Sequence, residues 1–212
     1  MNKGRLKIKV CGMRDSGNIA AVAGLHPDYM GFIFYPPSPR YCNYPDAIGS
    51  IPEDIAAVAV TVDMSERDII ALTHRYGFKA VQLHGSETPE LCRRLRGRGL
   101  TVIKAVSVKG MESLGCIRDY EGSVDMFVFD TASSSKGGSG RKFDWTLISD
   151  MDIKTDFLLS GGIGPEDADA VLSFSHPHYA GVDLNSRFEI VPGIKDAGML
   201  EKFVRSILSD RH

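Results

Sequence analysis

Short apolar runs recur along this chain, and each ends on a chemically distinctive group. KVCG at 9–12, VQLHG at 81–85, FVFDT at 127–131, LLSGGI at 158–163 and GVDLNSR at 181–187 end on a thiol, an imidazole, a carboxyl, paired glycines and a polar Asp-Leu-Asn-Ser stretch. Runs this short and this apolar read as buried strands. A buried strand that stops on such groups is not adding core there; it delivers polar chemistry to one rim. Ligands of parallel α/β proteins bind at the carboxyl ends of the strands, so the pattern locates a site before any motif is named.

Strand-like runs alternate with amphipathic stretches from end to end. The Val-, Ile- and Phe-rich runs fall at 6–10, 29–34, 55–62, 80–83, 101–107, 124–129, 157–159 and 179–184. Helix starts stand between them: a start near Asp15, Ser65 before Glu66, Ser86-Glu87-Thr88-Pro89, and Pro165-Glu166-Asp167. About eight strand–helix units is the number that closes a parallel (βα)8 (TIM) barrel, here expected as a single domain over 1–212. The competing arrangement, an open doubly wound sheet, usually carries a Gly-rich turn after its first strand. Here Cys11-Gly12-Met13-Arg14 follows and GxGxxG does not.

Residues i and i+2 of a strand share a face. The alternation points Lys9 and Cys11 into the barrel against Ile8 and Val10 outward, and Gln82 and His84 inward against Val81 and Leu83. The same phase puts Tyr179, Gly181 and Asp183 inward and Ala180, Val182 and Leu184 outward. Several strands thus aim polar groups at one axis, where desolvation would cost a mere scaffold free energy without return.

The 212 residues carry a net charge of −2 with 43% hydrophobic and 25% charged residues. That balance gives no nucleic-acid surface, so an anionic small molecule needs a local positive site. No apolar stretch reaches the ~18 residues of a membrane span. Cys11, Cys42, Cys92 and Cys116 are scattered without a CxxC pair or a preceding apolar leader. Reduced thiols, a cytoplasmic address and no metal site are expected.

Gly161-Gly162-Ile163 follows a strand and precedes a helix start, and Asn185-Ser186-Arg187 occupies the matching place after the last strand. Glycines let the backbone approach an anion, and phosphate-using barrels build that site from their last two loops. Either segment alone is equally a turn with a cap; together, in this order, they read as a phosphate site. Lys136-Gly137-Gly138-Ser139-Gly140 fails the P-loop pattern, and 131–140 reads either as a loop over the site or as a surface connection. Asp130 ends an apolar run that disfavours its charged form, which suits a general acid, although turn and cap aspartates are common. Cys11 is a small buried hydrophobe or, from its inward phase with Lys9, Arg14 and a helix start nearby, a thiolate base. Arg40, stiffened by Pro36, Pro37 and Pro39, is either ready for a carboxylate or a solvated surface group. His84 is an active-site group or a hydrogen-bonded structural histidine, and it is carried among the candidate substrate-binding residues.

Taken in order, KVCGMR, GFIFYPPSPRY, VQLHG, FDT, GGSGRKFDW, LSGGI, GVDLNSRFE and PGIKD resemble the phosphoribosylanthranilate isomerases of tryptophan biosynthesis over nearly the whole chain. The resemblance implies a cofactor-free Amadori rearrangement of N-(5-phosphoribosyl)anthranilate to 1-(2-carboxyphenylamino)-1-deoxyribulose 5-phosphate; the expected partner is the phosphorylated small-molecule substrate, and the sequence does not fix whether the chain is a monomer or a homodimer. It implies Asp130 as the acid that opens the ribose ring, Cys11 as the base at C2, Arg40 at the anthranilate carboxylate and Asp183 near the sugar hydroxyls. It puts the phosphate on N–H groups around Gly162, Ile163, Ser186 and Arg187. Many members carry a small residue where this chain has Arg187, whose side chain must then point away or add a charge contact.

Overall fold

The computed structural model describes residues 5–43, 45–131 and 143–209. Most of the 131–140 loop, with its Lys136–Gly140 run, lies outside them. The eight expected runs are the strands β1 (Lys7–Cys11), β2 (Tyr29–Ile33), β3 (Ala56–Thr61), β4 (Ala80–Leu83), β5 (Thr101–Val108), β6 (Met126–Thr131), β7 (Phe157–Leu159) and β8 (Tyr179–Leu184). They pair in sequence order, all parallel, and β1 returns to β8 through Lys7↔Gly181 and Lys9↔Asp183, closing the barrel. Closure excludes the open doubly wound sheet. The helices are α1 (Ser16–Ala23), α2 (Glu66–Tyr76), α3 (Pro89–Gly97), α4 (Met111–Leu114), α5 (Ile117–Tyr120), α6 (Thr146–Ser149), α7 (Ala168–Ser173) and α8 (Ala197–Ser209). After β8 comes an element that the alternation did not announce, the antiparallel hairpin of β9 (Glu189–Val191) and β10 (Ile194–Lys195).

The helices start where short polar side chains satisfy their first amides. Asp15, Ser65 and Thr88 accept from the N–H groups of Asn18, Asp68 and Leu91, and Pro89 takes a first-turn position that needs no donor. The strands sort apolar residues into two layers. Ile8, Val10, Val81, Leu83 and Val182 pack outward under the helices, whereas Cys11, Val58, Val60, Ile103, Ala105, Val128 and Leu158 fill the interior. Strand ends differ from expectation in a useful direction. Cys11 and Asp130 are the terminal and penultimate residues of β1 and β6, so each reactive group is held by a ladder rather than by a loop.

One phase expectation is corrected. Tyr179 faces outward, edge-on to Phe174 at 4.9 Å, and Ala180 packs on the interior cluster. The register between β7 and β8 shifts between Phe157 and Leu158, and the extra residue in β8 flips the phase before Asp183 recovers its inward place. Gly181, at φ 156°, sits in this irregularity, and a Cβ there would collide with the Lys7 carbonyl of β1. Gly181→Ala is therefore expected to pry open the β1–β8 seam, with a loss of roughly 3 kcal/mol or more in urea-unfolding stability. An unchanged denaturation midpoint would refute this account of barrel closure.

Candidate active site

A cavity of about 270 Å³ opens at the carboxyl ends of the barrel strands, with every strand or its following loop contributing. Cys11, Arg40, His84, Asp130, Gly162, Ile163, Asp183 and Ser186 all line it. Among the predicted site residues only Arg187 is absent from the wall. Its Nη2 lies 2.6 Å from Glu166 Oε1, with both side chains about half exposed. Its charge thus points outward, to Glu166.

On the floor of the cavity, Lys9 Nζ donates to Asp183 Oδ1 at 2.9 Å; both side chains are buried, the lysine completely. Adjacent places on β1 and β8 force this pair together. Burial works against the Lys9 ammonium, but the Asp183 carboxylate and the Cys11 sulfur outweigh it and hold the lysine charged. Burial likewise pushes the Asp183 carboxyl upward, against the pull of Lys9.

Cys11 departs from expectation. Burial pushes its thiol above the ordinary value; Lys9 and Lys195 pull the other way, and Asp183 adds to the rise. Arg14, expected to help, is turned aside, its Nη1 donating to the Pro39 carbonyl at 2.9 Å. The resting sulfur is a neutral thiol with two buried ammonium groups close by, ready to stabilise the thiolate once a proton leaves.

Asp130 behaves as its apolar run predicted. Burial, reinforced by the negative charge of Asp183, raises its pKa from 3.8 to about 6. His84 Nε2 lies 3.6 Å from Asp130 Oδ2, too long for a good hydrogen bond, and Nδ1 faces Gln82 Nε2 at 3.2 Å. The imidazole is on the cavity wall rather than in the outer core.

At the opposite rim, Gly161 and Gly162 take left-handed backbone angles of φ 80° and 74°. A Cβ on Gly161 would strike Thr131, so the β7 turn can lie against β6 only as glycine. Among the described residues no hydrogen-bond acceptor is found for the N–H groups of the cavity-lining Gly162, Ile163 and Ser186. Three such amides at one rim suit an anion. The helix start expected near Pro165 is instead a 3-10 turn, and Asp167 Oδ2 takes the Gly164 amide at 2.7 Å. The loops themselves, more than a helix end, supply the donors.

Arg40 is buried and already engaged. Its Nε and Nη2 reach the Glu189 carboxylate at 2.9 and 2.7 Å. Glu189 in turn meets Lys195 Nζ at 2.7 Å. A second buried pair supports the β4 rim: Lys104 Nζ donates to Glu87 Oε2 at 3.2 Å and to the Gly85 carbonyl at 2.8 Å. Sequence reading missed Glu189, Lys195, Lys104 and Glu87. In the sequence Glu87 reads as part of a helix start. The Glu-Ile-Val-Pro-Gly-Ile-Lys stretch carried a usable hairpin signal, alternation around Pro-Gly. Among the described residues no cluster of three His, Cys, Asp or Glu side chains is gathered as for a metal, and no helix is long and apolar enough to cross a membrane.

Comparison with known proteins agrees with this geometry. The family profile described as N-(5'-phosphoribosyl)anthranilate (PRA) isomerase matches residues 8–206. An N-(5'-phosphoribosyl)anthranilate isomerase of Phocaeicola vulgatus is 43% identical over 94% of this chain and 97% of its own. The crystal structure of phosphoribosyl anthranilate isomerase from Thermotoga maritima superposes with a TM-score of 0.84 at 31% identity, covering 95% of this chain and 98% of that one. A further structure of such an isomerase, bound to reduced 1-(o-carboxyphenylamino)-1-deoxyribulose 5-phosphate, matches at TM-score 0.80 and 30% identity over 95% and 98% of the two chains.

Proposed function

This chain belongs to the N-(5'-phosphoribosyl)anthranilate isomerase family, and on that premise we propose how its own residues divide the work. The chain is a phosphoribosylanthranilate isomerase. Asp130, whose desolvated place on β6 raises its pKa to about 6, gives its proton, in the enzyme form that carries it, to the ribose ring oxygen and opens the ring to a Schiff base. Cys11 on β1 removes the proton at C2 to form an enolamine, which ketonises to the Amadori product. Lys9 and Lys195 stabilise the sulfur anion that must stand ready before that proton is taken. Asp183 meets the sugar hydroxyls, Arg40 the anthranilate carboxylate, and the amides of Gly162, Ile163, Ser186 and Arg187 the phosphate. The catalytic unit is one domain, and four cysteines, none in a disulfide, fit a reducing, cytoplasmic setting.

The observation that carries this reading is the convergence of Cys11 and Asp130 on one cavity, with the amides of the β7 and β8 loops between them lacking an acceptor among the described residues. An acid and a base set on facing strands each contribute roughly 10²–10⁴-fold. Cys11→Ser tests it, because a serine hydroxyl is far too weak an acid to yield an anion at neutral pH. Turnover of freshly prepared substrate is expected to fall by about 10³-fold or more, while calorimetry finds the reduced product analogue bound within a few-fold of wild type. Near-normal turnover would remove Cys11 from the mechanism.

A further inference from the structure

We propose that Glu189 and Lys195, on the β9–β10 hairpin, are positioning residues that orient Arg40 for the substrate carboxylate. The proposal rests on the reading of Arg40 given above. It begins with the hairpin, which contributes little core: Ile190 and Val191 at its tip are 69% and 54% exposed. Its two charged ends are the opposite. Lys195 is 1% exposed, and the Glu189 side chain is 4% exposed. Burying ions to hold up a surface hairpin costs desolvation that apolar residues of the same size would avoid, so stability alone is a poor reason for this pair.

Geometry supplies a better one. Glu189 accepts from the Nε–Nη2 edge of Arg40, from Lys195 Nζ and, at 3.0 Å, from the Gly193 amide. That grip fixes the plane of the guanidinium from the side. Arg40 lines the cavity, and among the described residues its Nη1 has no acceptor. The end-on edge of the fork therefore remains for a ligand carboxylate. Charge agrees. One arginine and one glutamate alone would cancel, and Lys195 restores a single positive charge for an incoming anion. Lys195 is itself anchored, donating to Asn185 Oδ1 at 2.6 Å, and its backbone exchanges two hydrogen bonds with the Asn18 side chain of α1. Asn185 precedes Ser186, so one lysine ties the carboxylate end of the cavity to the phosphate end.

The experiment compares two probes by calorimetry: the reduced product analogue and the same molecule without its aryl carboxyl. Wild type is expected to favour the carboxylated probe strongly. Glu189→Gln and Lys195→Met are each expected to cut that preference about tenfold or more, since a small misplacement of a clamp costs this much. Affinity for the decarboxylated probe should stay within about threefold, and for Glu189→Gln the loss should fall mainly on KM with kcat largely kept, whereas Lys195→Met, which also removes a charge near Cys11, is judged on the probe preference alone. Arg40→Met serves as the reference, losing the preference altogether. If Arg40→Met keeps the wild-type preference, Arg40 is not the carboxylate site, and the reading beneath the proposal fails. If Arg40→Met loses it but folded Glu189 and Lys195 variants keep it, or weaken both probes equally, the positioning role fails while the Arg40 reading stands. Should Glu189→Gln not fold, Glu189→Asp keeps the charge but draws the fork back by one carbon, and the same fall in preference is required of it.

Discussion

Asp130→Asn is expected to lower kcat by about 10²–10⁴-fold, to leave the reduced product analogue bound, and to change the shape of the pH profile. The productive enzyme needs Asp130 protonated and Cys11 ionised. That form holds as many protons as the resting form, in which Asp130 is ionised and Cys11 neutral. Its share is therefore constant between the two pKa values. With Asp130 at about 6 and Cys11 pushed above its ordinary 9.0, wild-type kcat/KM should be flat from about pH 6 to beyond 9 and fall on either side. Without the carboxyl only the thiol titrates, and the residual rate of the variant should climb about tenfold per pH unit across the same range. A plateau retained in the variant would show that Asp130 is not the acid.

The same substitution should stabilise the fold. The Asp130 pKa is raised on folding, so the native state binds its proton more tightly than the unfolded chain. The associated stability is fully present below pH 3.8 and lost as pH rises through about 6. A rise of that size is worth on the order of 3 kcal/mol at about 1.36 kcal/mol per unit. At pH 8 Asp130→Asn should thus be more stable than wild type by on the order of 2–3 kcal/mol, with the gap closing near pH 4. Equal stability of the two proteins at pH 8 would mean that the carboxyl is better solvated than its 19% exposed side chain suggests.

Lys9→Met is expected to be the most damaging single change on the cavity floor. It keeps the length of the buried stem but leaves the Asp183 carboxylate without the ammonium 2.9 Å away. Stranding one partner of a buried pair costs about 3–5 kcal/mol, far more than the intact pair contributes over an apolar replacement. Lys9→Met should therefore unfold at lower urea concentration at pH 8 and recover on acidification, as the stranded carboxyl takes up a proton. Lys9→Met/Asp183→Leu should regain most of the stability and none of the activity. A Lys9→Met protein as stable as wild type at pH 8 would mean that Asp183 is neutral in the native enzyme and that no ion pair forms the floor.

Much of this enzyme was legible along the chain because strand period and residue chemistry are local properties. Lys9 and Cys11 point inward because Ile8 and Val10 must pack against helices, a statement about a handful of neighbours. Asp130 has a raised pKa chiefly because its apolar strand is buried, although the charge of distant Asp183 adds to the rise. Tyr179 was misplaced because a register shift between two strands leaves no mark on the alternation of either. The resting ionisation of Cys11 is not legible for a related reason: Lys9 and Arg14 are near it in sequence, but desolvation, set by the whole barrel, outweighs one and the Pro39 carbonyl captures the other.

The amino-acid order alone determined the eight-fold alternation, the closed barrel it demands, and the thiol, carboxyl and glycine turns placed at strand ends. These follow from periods of two and 3.6 residues and from side-chain chemistry, which act over short stretches. Only the tertiary structure decided which charges meet: Glu189 with an arginine 149 positions away, Lys9 with a carboxylate 174 positions away. Such pairs, and the ionisation states they impose, exist only once closure has brought distant strands together and expelled the water that would have screened them.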